Sequence, residues 1–309
     1  MGKKGGNAKT KAKQAARKAA QLEAQRQLDA LRAARDLANP LSALPAPFTA
    51  FKRNGIDANV EFFTAQTLPE ADKLALHKIL DQNMAPIYGQ EDWDEEAGAD
   101  KRKELAENDA RVLIIRGGAA AETASPATSP VKAPAETSSE KAAETKASTD
   151  VLAFMHFRYE IEEECLLLYI YELQVADRED ARRKGLGKFM LMLAEMLSKK
   201  SGFGGVMFTV QKNNAAALKF YQSCKYTADA ISPCNVDPMA DDEDYSYEVR
   251  SCGRGARIRT EIFSERTLCT SQVSHRNCLA LPDLQQSVGR GREGDARQAS
   301  CRSEEDVGS

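Results

Sequence analysis

The run LLLYIYELQV, residues 166 to 175, is apolar at nearly every position. A strand with one wet face alternates apolar and polar residues, whereas a strand with this composition is typical of the centre of a sheet covered on both faces. The chain therefore has to build a layered sheet with this strand inside it. Glu172 is the only acidic residue between positions 165 and 176, and an unpaired carboxylate is costly to bury, so this residue points to a function.

Other apolar runs predict the rest of the fold. Strands are predicted at NVEFFT, RVLIIR, VLAFMHFRYE, GVMFTVQ and YSYEVR, and helices at LPEADKLALHKILDQNM, after Gly185, and at NNAAALKFYQSC. The first helix has an apolar stripe made of Leu74, Leu76, Ile79 and Leu80. The helix after Gly185 has apolar residues at helical spacing, namely Leu186, Met190, Leu193 and Leu197. This alternation predicts an α/β fold, a mixed central sheet flanked by helices.

Three segments have biased composition. Residues 1–36 contain ten Lys or Arg and three acidic residues, a local charge of +7, and good helix formers fill this segment up to Pro40. Residues 117–150 lack aromatic residues and almost all large aliphatic ones, so we expect a disordered insertion between two neighbouring strands. The Arg-rich segment 251–309 is also expected to be disordered. The predicted domains are a basic helical segment (1–40), one folded domain (41–250) and a tail (251–309).

Several classes of protein are disfavoured by the sequence. It has no run of about eighteen apolar residues and no apolar signal-peptide core, so neither a membrane span nor secretion is expected. Its seven cysteines form no CxxC pair, which argues against a zinc ribbon or a disulfide scaffold. Cys269, His275 and Cys278 match no standard metal spacing, and no metal site is predicted.

The segment RRKGLGKF opens a predicted helix directly after the buried strand. A helix N-terminus preceded by glycines presents free backbone N–H groups and suits a phosphate. Phe189 stands where a Walker A loop needs Ser or Thr, and the third glycine of GxGxxG is absent. What remains is Arg182-x-x-Gly185-x-Gly187.

This pattern resembles the acetyl-CoA pyrophosphate loop of the GNAT superfamily of N-acetyltransferases, and NNAAALKFYQSCKY resembles that superfamily's second cofactor element. The resemblance implies a single GNAT-type domain with acetyl-CoA as co-substrate and no metal. The residues it implies for acetyl-CoA binding are Leu173, Val175, Arg182, Arg183, Lys184, Gly185, Leu186, Gly187, Lys188 and Asn214.

A narrower resemblance rests on HFRYEIEEECLLLYIYELQVADREDARRKGLGKF, NMAPIYGQEDWDEE, DYSYEV and NPLSALPAPFTAFKRNGIDANVEF. These segments, within residues 1–116 and 151–250, look like the N-alpha-acetyltransferase D family, which acetylates the N-terminal serine of core histones. The resemblance implies transfer to α-amines of chains that begin Ser-Gly-Arg-Gly, histone tails as partners, a monomer, and residence in nucleus and cytoplasm.

Alternative functions stay open on the sequence. Within the same fold, the acceptor could be a lysine or a small amine. From another class, the basic arm suggests a nucleic-acid or chromatin-binding module, although an Ala-rich arm offers no platform for base stacking. As part of an enzyme, the arm would make an electrostatic contact with nucleic acid or the ribosome, or be a plain solvated helix.

Acetyl transfer needs a neutral amine, an oxyanion stabiliser and a proton for the departing thiolate. We expect burial to raise the pKa of Glu172, which suits a general base acting directly or through a water, and the resemblance implies the same role. Tyr221 stands where many superfamily members have a tyrosine that protonates the thiolate. No Ser-His-Asp or Cys-His pair stands out, so direct attack in a ternary complex is the expected mechanism.

The resemblance implies a peptide pocket made of Tyr88, Trp93, Glu160, Tyr169, Tyr171 and Tyr247. Glu160 would bind a basic or N-terminal group of the peptide. Strict alternation places Glu172 on the opposite face from Tyr169 and Tyr171, so a shared site requires a β-bulge near them. The alternative interpretation makes Trp93 a packing anchor and the two tyrosines ordinary core residues.

Overall fold

The computed structural model describes residues 5–117, 150–236 and 245–253, with side chains from residue 10 onward. Most of the predicted insertion, nearly all of the predicted tail, and the Cys269, His275 and Cys278 group lie outside these residues. The domain bounds inferred from composition therefore stay predictions.

Eight strands form one mixed sheet with the order β1-β2-β3-β4-β5-β6-β8-β7. The strands are β1 (Ala50–Arg53), β2 (Ile56–Thr64), β3 (Arg111–Gly117), β4 (Val151–Glu162), β5 (Cys165–Val175), β6 (Gly205–Gln211), β7 (Thr227–Ala228) and β8 (Tyr247–Gly253). All neighbours are antiparallel except β5 and β6, which are parallel. The predicted strands are confirmed, β5 lies inside the sheet, and β1 and β7 were not predicted.

The described helices complete the domain. They are α1 (Gly5–Arg35), α2 (Glu70–Tyr88), α3 (Gln90–Asp92), α4 (Gly98–Ala106), α5 (Leu186–Lys200), α6 (Ala215–Ser223) and α7 (Pro233–Val236), with a π-helical turn at Trp93–Ala97 and 3-10 turns at Pro40–Ala43 and Ala46–Phe48. The mixed sheet flanked by helices confirms the predicted fold class. None of the helices within the described ranges is long and apolar enough to cross a bilayer.

Helix α5 buries the predicted apolar face against the sheet, because Leu186, Met190, Leu193 and Leu197 are all at most 1% exposed. In α2 the predicted stripe is wrong at one position, since Leu74 is 63% exposed. The buried face of α2 runs instead from Asp72 through Leu76, Ile79 and Leu80. Helix α2 also continues through Pro86 to Tyr88, beyond its predicted end at Met84.

Asp72 can take a position on the buried face because Arg116 of β3 pairs with it. The Arg116 Nη2 atom donates to Asp72 Oδ2 at 2.9 Å, and Arg116 Nε donates to Glu61 Oε2 at 3.1 Å. The Asp72 side chain is 2% exposed, so this ion pair fixes α2 on the sheet.

The basic helix α1 joins the domain through its last turn. The Arg35 guanidinium donates to the backbone oxygen of Tyr159 at 2.8 Å and lies 3.2 Å from Asp109 Oδ2. Arg111 in turn donates to the backbone oxygen of Arg35. All described α1 side chains up to Arg26 are exposed, so most of the helix stands clear of the sheet.

We predict that Asp72→Asn lowers the free energy of unfolding by about 3 kcal/mol, because it leaves a buried Arg116 charge incompletely paired. The matched control is Glu70→Gln on the same helix, since Glu70 is 76% exposed and pairs with Lys73 at 3.2 Å. That control should cost less than about 1 kcal/mol. Urea unfolding measures both variants, and equal losses would contradict the assigned role of Asp72.

Candidate active site

A β-bulge at Tyr171 shapes the centre of the sheet. On β4 the adjacent residues His156 and Phe157 pair with Glu172 and Ile170 on β5, so Tyr171 is an extra residue between them. One extra residue changes the side-chain alternation beyond it. The bulge required by the sequence argument is therefore confirmed.

The bulge divides the β5 side chains between the two faces of the sheet. The rings of Tyr169 and Tyr171 lie 5.2 Å apart, which places both on one face. Beyond the bulge, Glu172 points toward α4, because it contacts Lys101 of that helix. Leu173 instead points toward α5, next to Gly187.

The bulge also marks where β5 and β6 separate. Their parallel pairing covers only Leu168 to Ile170 on β5 and Val206 to Phe208 on β6. Strand β5 continues to Val175, and over residues 171–175 none of the described strands pairs with this edge. The strands thus open a gap, with Glu172 near its inner end and the glycine turn after its outer end. An extended ligand with amide groups could hydrogen-bond to this free edge.

The glycine turn has the geometry of an anion site. Gly185 has φ 91°, a left-handed conformation that a side chain disfavours, and α5 begins at Leu186. The N–H groups of the first helical turn have no partner within the helix and point out of its N-terminus. Gly187 is needed for packing, because a Cβ atom there would lie 3.1 Å from Phe220 of α6.

Side chains fix this turn to the rest of the domain. Arg182 Nε lies 2.8 Å from Asp177 Oδ1, and Arg182 Nη2 donates to Asn83 Oδ1 at 3.1 Å. The Asn83 amide donates in turn to the backbone oxygen of Val175 at 3.0 Å. Asn54 donates to the backbone oxygen of Lys184 at 2.7 Å. Arg182 therefore positions the loop as well as adding positive charge.

A cleft of about 490 Å³ begins at this turn and follows the outer side of α5. Gly185 and Lys188 line its start, while Arg53 and Lys225 add positive charge and Glu195 adds one negative charge. Arg183, which is also predicted to bind the cofactor, lies in the turn itself with φ 59°. The positive charge suits the phosphates of a nucleotide ligand.

Helix α6 lies beside the glycine turn. Asn214 caps the helix by accepting from the Ala217 N–H at 3.1 Å. Tyr221 packs on Phe208 of β6, with ring centroids 4.1 Å apart. Burial raises the pKa of Tyr221, and nearby Glu172 and Cys224 raise it further. Tyr221 is therefore a neutral phenol that could donate a proton.

Glu172 lies in an ion pair that the sequence analysis missed. Its Oε1 atom is 3.3 Å from Lys101 Nζ, and its Oε2 atom accepts from Gln174 Nε2 at 2.8 Å. Burial lowers the pKa of Lys101, but the charges of Glu172 and Glu104 outweigh burial and raise the pKa above its usual value. Lys101 is therefore an ammonium. The expected effect of burial on Glu172 stays a prediction.

Tyr169, Tyr171 and Glu160 form a connected group, called here the tyrosine wall, on one face of the sheet. Tyr171 donates its hydroxyl to Glu160 Oε1 at 2.8 Å, and the hydroxyls of Tyr169 and Thr209 lie 2.6 Å apart. Burial raises the pKa of Glu160, although the Tyr171 hydrogen bond and Arg158 oppose this shift. Burial raises the pKa of Tyr169 to about 12. Burial raises the pKa of Tyr171 as well, and the charge of Glu160 adds to the shift, so both tyrosines carry their hydroxyl protons at neutral pH.

The other predicted pocket residues lie on different elements. Trp93 is 2% exposed and donates its indole N–H to Asp81 at 3.0 Å, so it is part of the core. Tyr88 packs on Trp93 with ring centroids 5.6 Å apart. Tyr247 on β8 packs in the same small apolar cluster as Tyr169. Contacts of these residues with a substrate stay predictions.

His156 was also missed by the sequence analysis. It pairs with Glu172 across the strands, stacks on Tyr171 at 4.9 Å, and is 1% exposed. Burial lowers its pKa to about 3, and the charges of Arg158 and Lys101 add to the shift. The imidazole is therefore neutral beside the carboxylate.

A metal site is not evident in the part of the chain that the structure describes, where no three His, Cys, Asp or Glu residues come together to hold an ion.

The chain is similar to known proteins in a family sequence model and in solved structures. Residues 148–226 match the sequence model of the acetyltransferase (GNAT) family, and this range contains the bulge, the glycine turn and α6. One similar solved structure is nourseothricin acetyltransferase, with 17% identity and a TM-score of 0.29. The match covers 47% of this chain and 66% of that one. A second is PaiA N-acetyltransferase from Thermoplasma acidophilum in complex with coenzyme A, with 15% identity and a TM-score of 0.38; the match covers 63% of this chain and 99% of that one. A third is the NatC complex bound to Gag peptide and CoA, with 12% identity and a TM-score of 0.37; the match covers 62% of this chain and 95% of that one.

The family match and the glycine turn support the same conclusion. Residues 148–226 are similar to the acetyltransferase (GNAT) family, and this similarity indicates acetyl-CoA as the co-substrate. The residues fit this ligand, because the turn offers free N–H groups to the diphosphate and the gap offers the β5 edge to the amide-containing arm.

We predict that Gly185→Ala weakens coenzyme A binding about tenfold. The alanine would be strained by about 1–2 kcal/mol in the left-handed region, and moving the helix start relieves that strain at the expense of the anion site. The matched control is Gly202→Ala beyond the other end of α5, with φ 76° and open space around it. Calorimetric titration should show unchanged affinity for the control. Equal losses in the two variants would contradict an anion site at Gly185.

Proposed function

We propose that this protein transfers the acetyl group of acetyl-CoA to the N-terminal α-amine of histone-type chains that begin Ser-Gly-Arg-Gly. The observation that carries the proposal is the bulge, which brings Glu172, Tyr171 and the Tyr171–Glu160 hydrogen bond to the point where β5 and β6 separate. Acetyl transfer requires a base and an acceptor pocket at such a point, next to the reactive end of the co-substrate.

Acidity favours an α-amine as the acceptor. An α-ammonium has a pKa of about 7.7–8.0, against about 10.4 for a lysine side chain. A carboxylate can deprotonate the α-ammonium with a smaller cost at neutral pH. Glu172 suits this task because Gln174 and Lys101 hold one oxygen each, and each oxygen keeps a further lone pair.

The proposed reaction moves two protons from the amine. Glu172 takes the first from the bound α-ammonium, directly or through a water, and the freed nitrogen lone pair attacks the thioester carbonyl. The C–N bond forms, the C–S bond breaks, and the thiolate takes a proton, whose donation we assign to the Tyr221 hydroxyl, which is neutral at working pH. The new amide nitrogen releases its second proton, which restores the Tyr221 hydroxyl, and Glu172 passes the first proton to water.

The charge of the pocket suits a basic peptide. Glu160 is part of the tyrosine wall, and three further glutamates, Glu162, Glu163 and Glu164, follow it at the β4–β5 turn. A carboxylate binds an arginine side chain through strong charge-assisted hydrogen bonds. Glu160 is therefore proposed to bind the arginine of the Ser-Gly-Arg-Gly terminus, with the acidic turn attracting the rest of the basic tail.

For Glu172→Gln we predict a fall in kcat of about 10²- to 10⁴-fold with unchanged coenzyme A affinity, because the amide cannot accept the proton. The substrate is a Ser-Gly-Arg-Gly peptide with internal lysines, and mass spectrometry locates the acetyl group. The wild-type protein should modify the α-amine. Acetyl on lysine alone would contradict the proposed acceptor, and full activity in the variant would contradict the proposed base.

For Glu160→Gln we predict that KM for the peptide rises about tenfold while KM for acetyl-CoA is unchanged. Losing one charge-assisted hydrogen bond to arginine costs about 1.5 kcal/mol or more. The matched control is Glu70→Gln, which should leave both KM values unchanged, since Glu70 is 76% exposed on α2 and has no part in the proposed peptide site. Replacing the peptide's arginine by citrulline should remove the difference between variant and wild type. If the difference in peptide KM between Glu160→Gln and wild type persisted with citrulline, Glu160 would not be the residue that binds the arginine.

A further inference from the structure

Lys101 is a partly buried cation that has no role in the proposed reaction. Its ammonium lies 3.3 Å from Glu172 Oε1 and 3.1 Å from Glu104 Oε2, and its side chain is 20% exposed. Two carboxylates thus share one ammonium, and the group of three carries a net charge of −1. A substrate α-ammonium would bring this charge to zero, so the arrangement favours binding of a cationic amine.

The surroundings of this group are defined on every side. Charged and titratable residues face it from five elements: Tyr88 on α2, Glu104 on α4, Arg158 and His156 on β4, Tyr169 and Tyr171 on β5, and Tyr221 on α6. His156, Tyr169, Tyr171 and Tyr221 are neutral at pH 7, so Lys101 and Arg158 are the cations among these described residues. Arg158 is already engaged, because it donates to Glu107 Oε2 and to the backbone oxygen of Glu104, each at 2.6 Å.

The position of α4 does not depend on Lys101. Arg158 binds the C-terminal end of the helix, Arg102 donates to Asp81 at 2.6 Å, and Leu105 is buried at 5% exposure. These contacts keep the helix on the domain if the Lys101 ammonium is removed. Removing the Lys101 ammonium would instead affect Glu172, because its buried carboxylate would lose its only described ion-pair partner.

We propose that Lys101 is a positioning residue for the base: it keeps Glu172 ionised and orients its carboxylate toward the acceptor amine, while Glu104 competes for the same ammonium and limits this effect. The inference rests on the proposed role of Glu172 in acetyl transfer. When Glu172 takes the proton of the amine, Lys101 stays paired with Glu104, so no buried ammonium is left without a partner.

We predict that Lys101→Met and Glu104→Gln shift the acidic limb of the kcat–pH profile in opposite directions. Without the cation of Lys101, a carboxylate takes up a proton at higher pH, so in Lys101→Met the acidic limb of kcat against pH should move up by about 1–2 pH units. Without the competing charge of Glu104, Lys101 pairs with Glu172 alone, so in Glu104→Gln the limb should move down. Lys101→Arg should restore part of the wild-type profile.

The experiment measures kcat from pH 5 to 9 at saturating acetyl-CoA and Ser-Gly-Arg-Gly peptide, using the full chain. The matched control is Lys103→Met, since Lys103 is exposed on the same helix and its variant should keep the wild-type profile. Thermal unfolding and coenzyme A affinity, measured on each variant, identify any loss of fold. A purely structural Lys101 would lower the melting temperature and leave the limb in place, and that result would overturn the proposal.

A second measurement does not depend on turnover. A pH titration of the ¹³C-labelled carboxyl signal of Glu172, assigned with Glu172→Gln, should show the same opposite shifts in Lys101→Met and Glu104→Gln. If the wild-type protein leaves the peptide α-amine unmodified, the proposed function fails, and this titration still decides the role of Lys101. Unshifted titrations in both variants would overturn the inference even where acetylation occurs.

Discussion

The extra residue in β5 is the constraint on which the site depends. Without Tyr171 between the pairs His156–Glu172 and Phe157–Ile170, strict alternation would turn Glu172 toward α5 and Leu173 toward α4. The same irregularity coincides with the end of the β5–β6 pairing. One inserted residue therefore brings the carboxylate and the tyrosine wall to one side of the sheet, next to an open strand edge.

Buried charges around that point are compensated in pairs. Glu172 is paired with Lys101, and Arg158 connects β4 to α4 while its guanidinium lies 4.2 Å from the centre of the Tyr171 ring. Breaking one partner of such a pair costs far more than the pair contributes, so these contacts specify geometry. Acetyl transfer benefits from this rigidity, because a base has to be within hydrogen-bond distance of the proton that it removes.

The sequence predicted the elements with strong local signals. The continuous apolar run identified β5, and the glycine spacing identified the turn before α5. Both features depend on residues that are close together in the chain, so the sequence shows them directly. It did not predict Lys101 or His156, whose importance arises from segments far apart in the chain and leaves no local pattern. Leu74 was wrong because the distant Arg116 allows Asp72 to take the buried position on α2. The bulge followed only from the requirement that three residues share a site, since strand register is set by tertiary pairing.

The most direct test is a crystal structure with a bisubstrate analogue, in which coenzyme A is joined through an acetyl bridge to the α-nitrogen of a Ser-Gly-Arg-Gly peptide. We predict that the diphosphate lies at the N-terminus of α5, the peptide nitrogen lies within about 3.2 Å of a Glu172 oxygen or of one bridging water, and the arginine contacts Glu160. A peptide that leaves the gap on the α5 side of the sheet, away from Glu172 and Tyr171, would contradict this prediction.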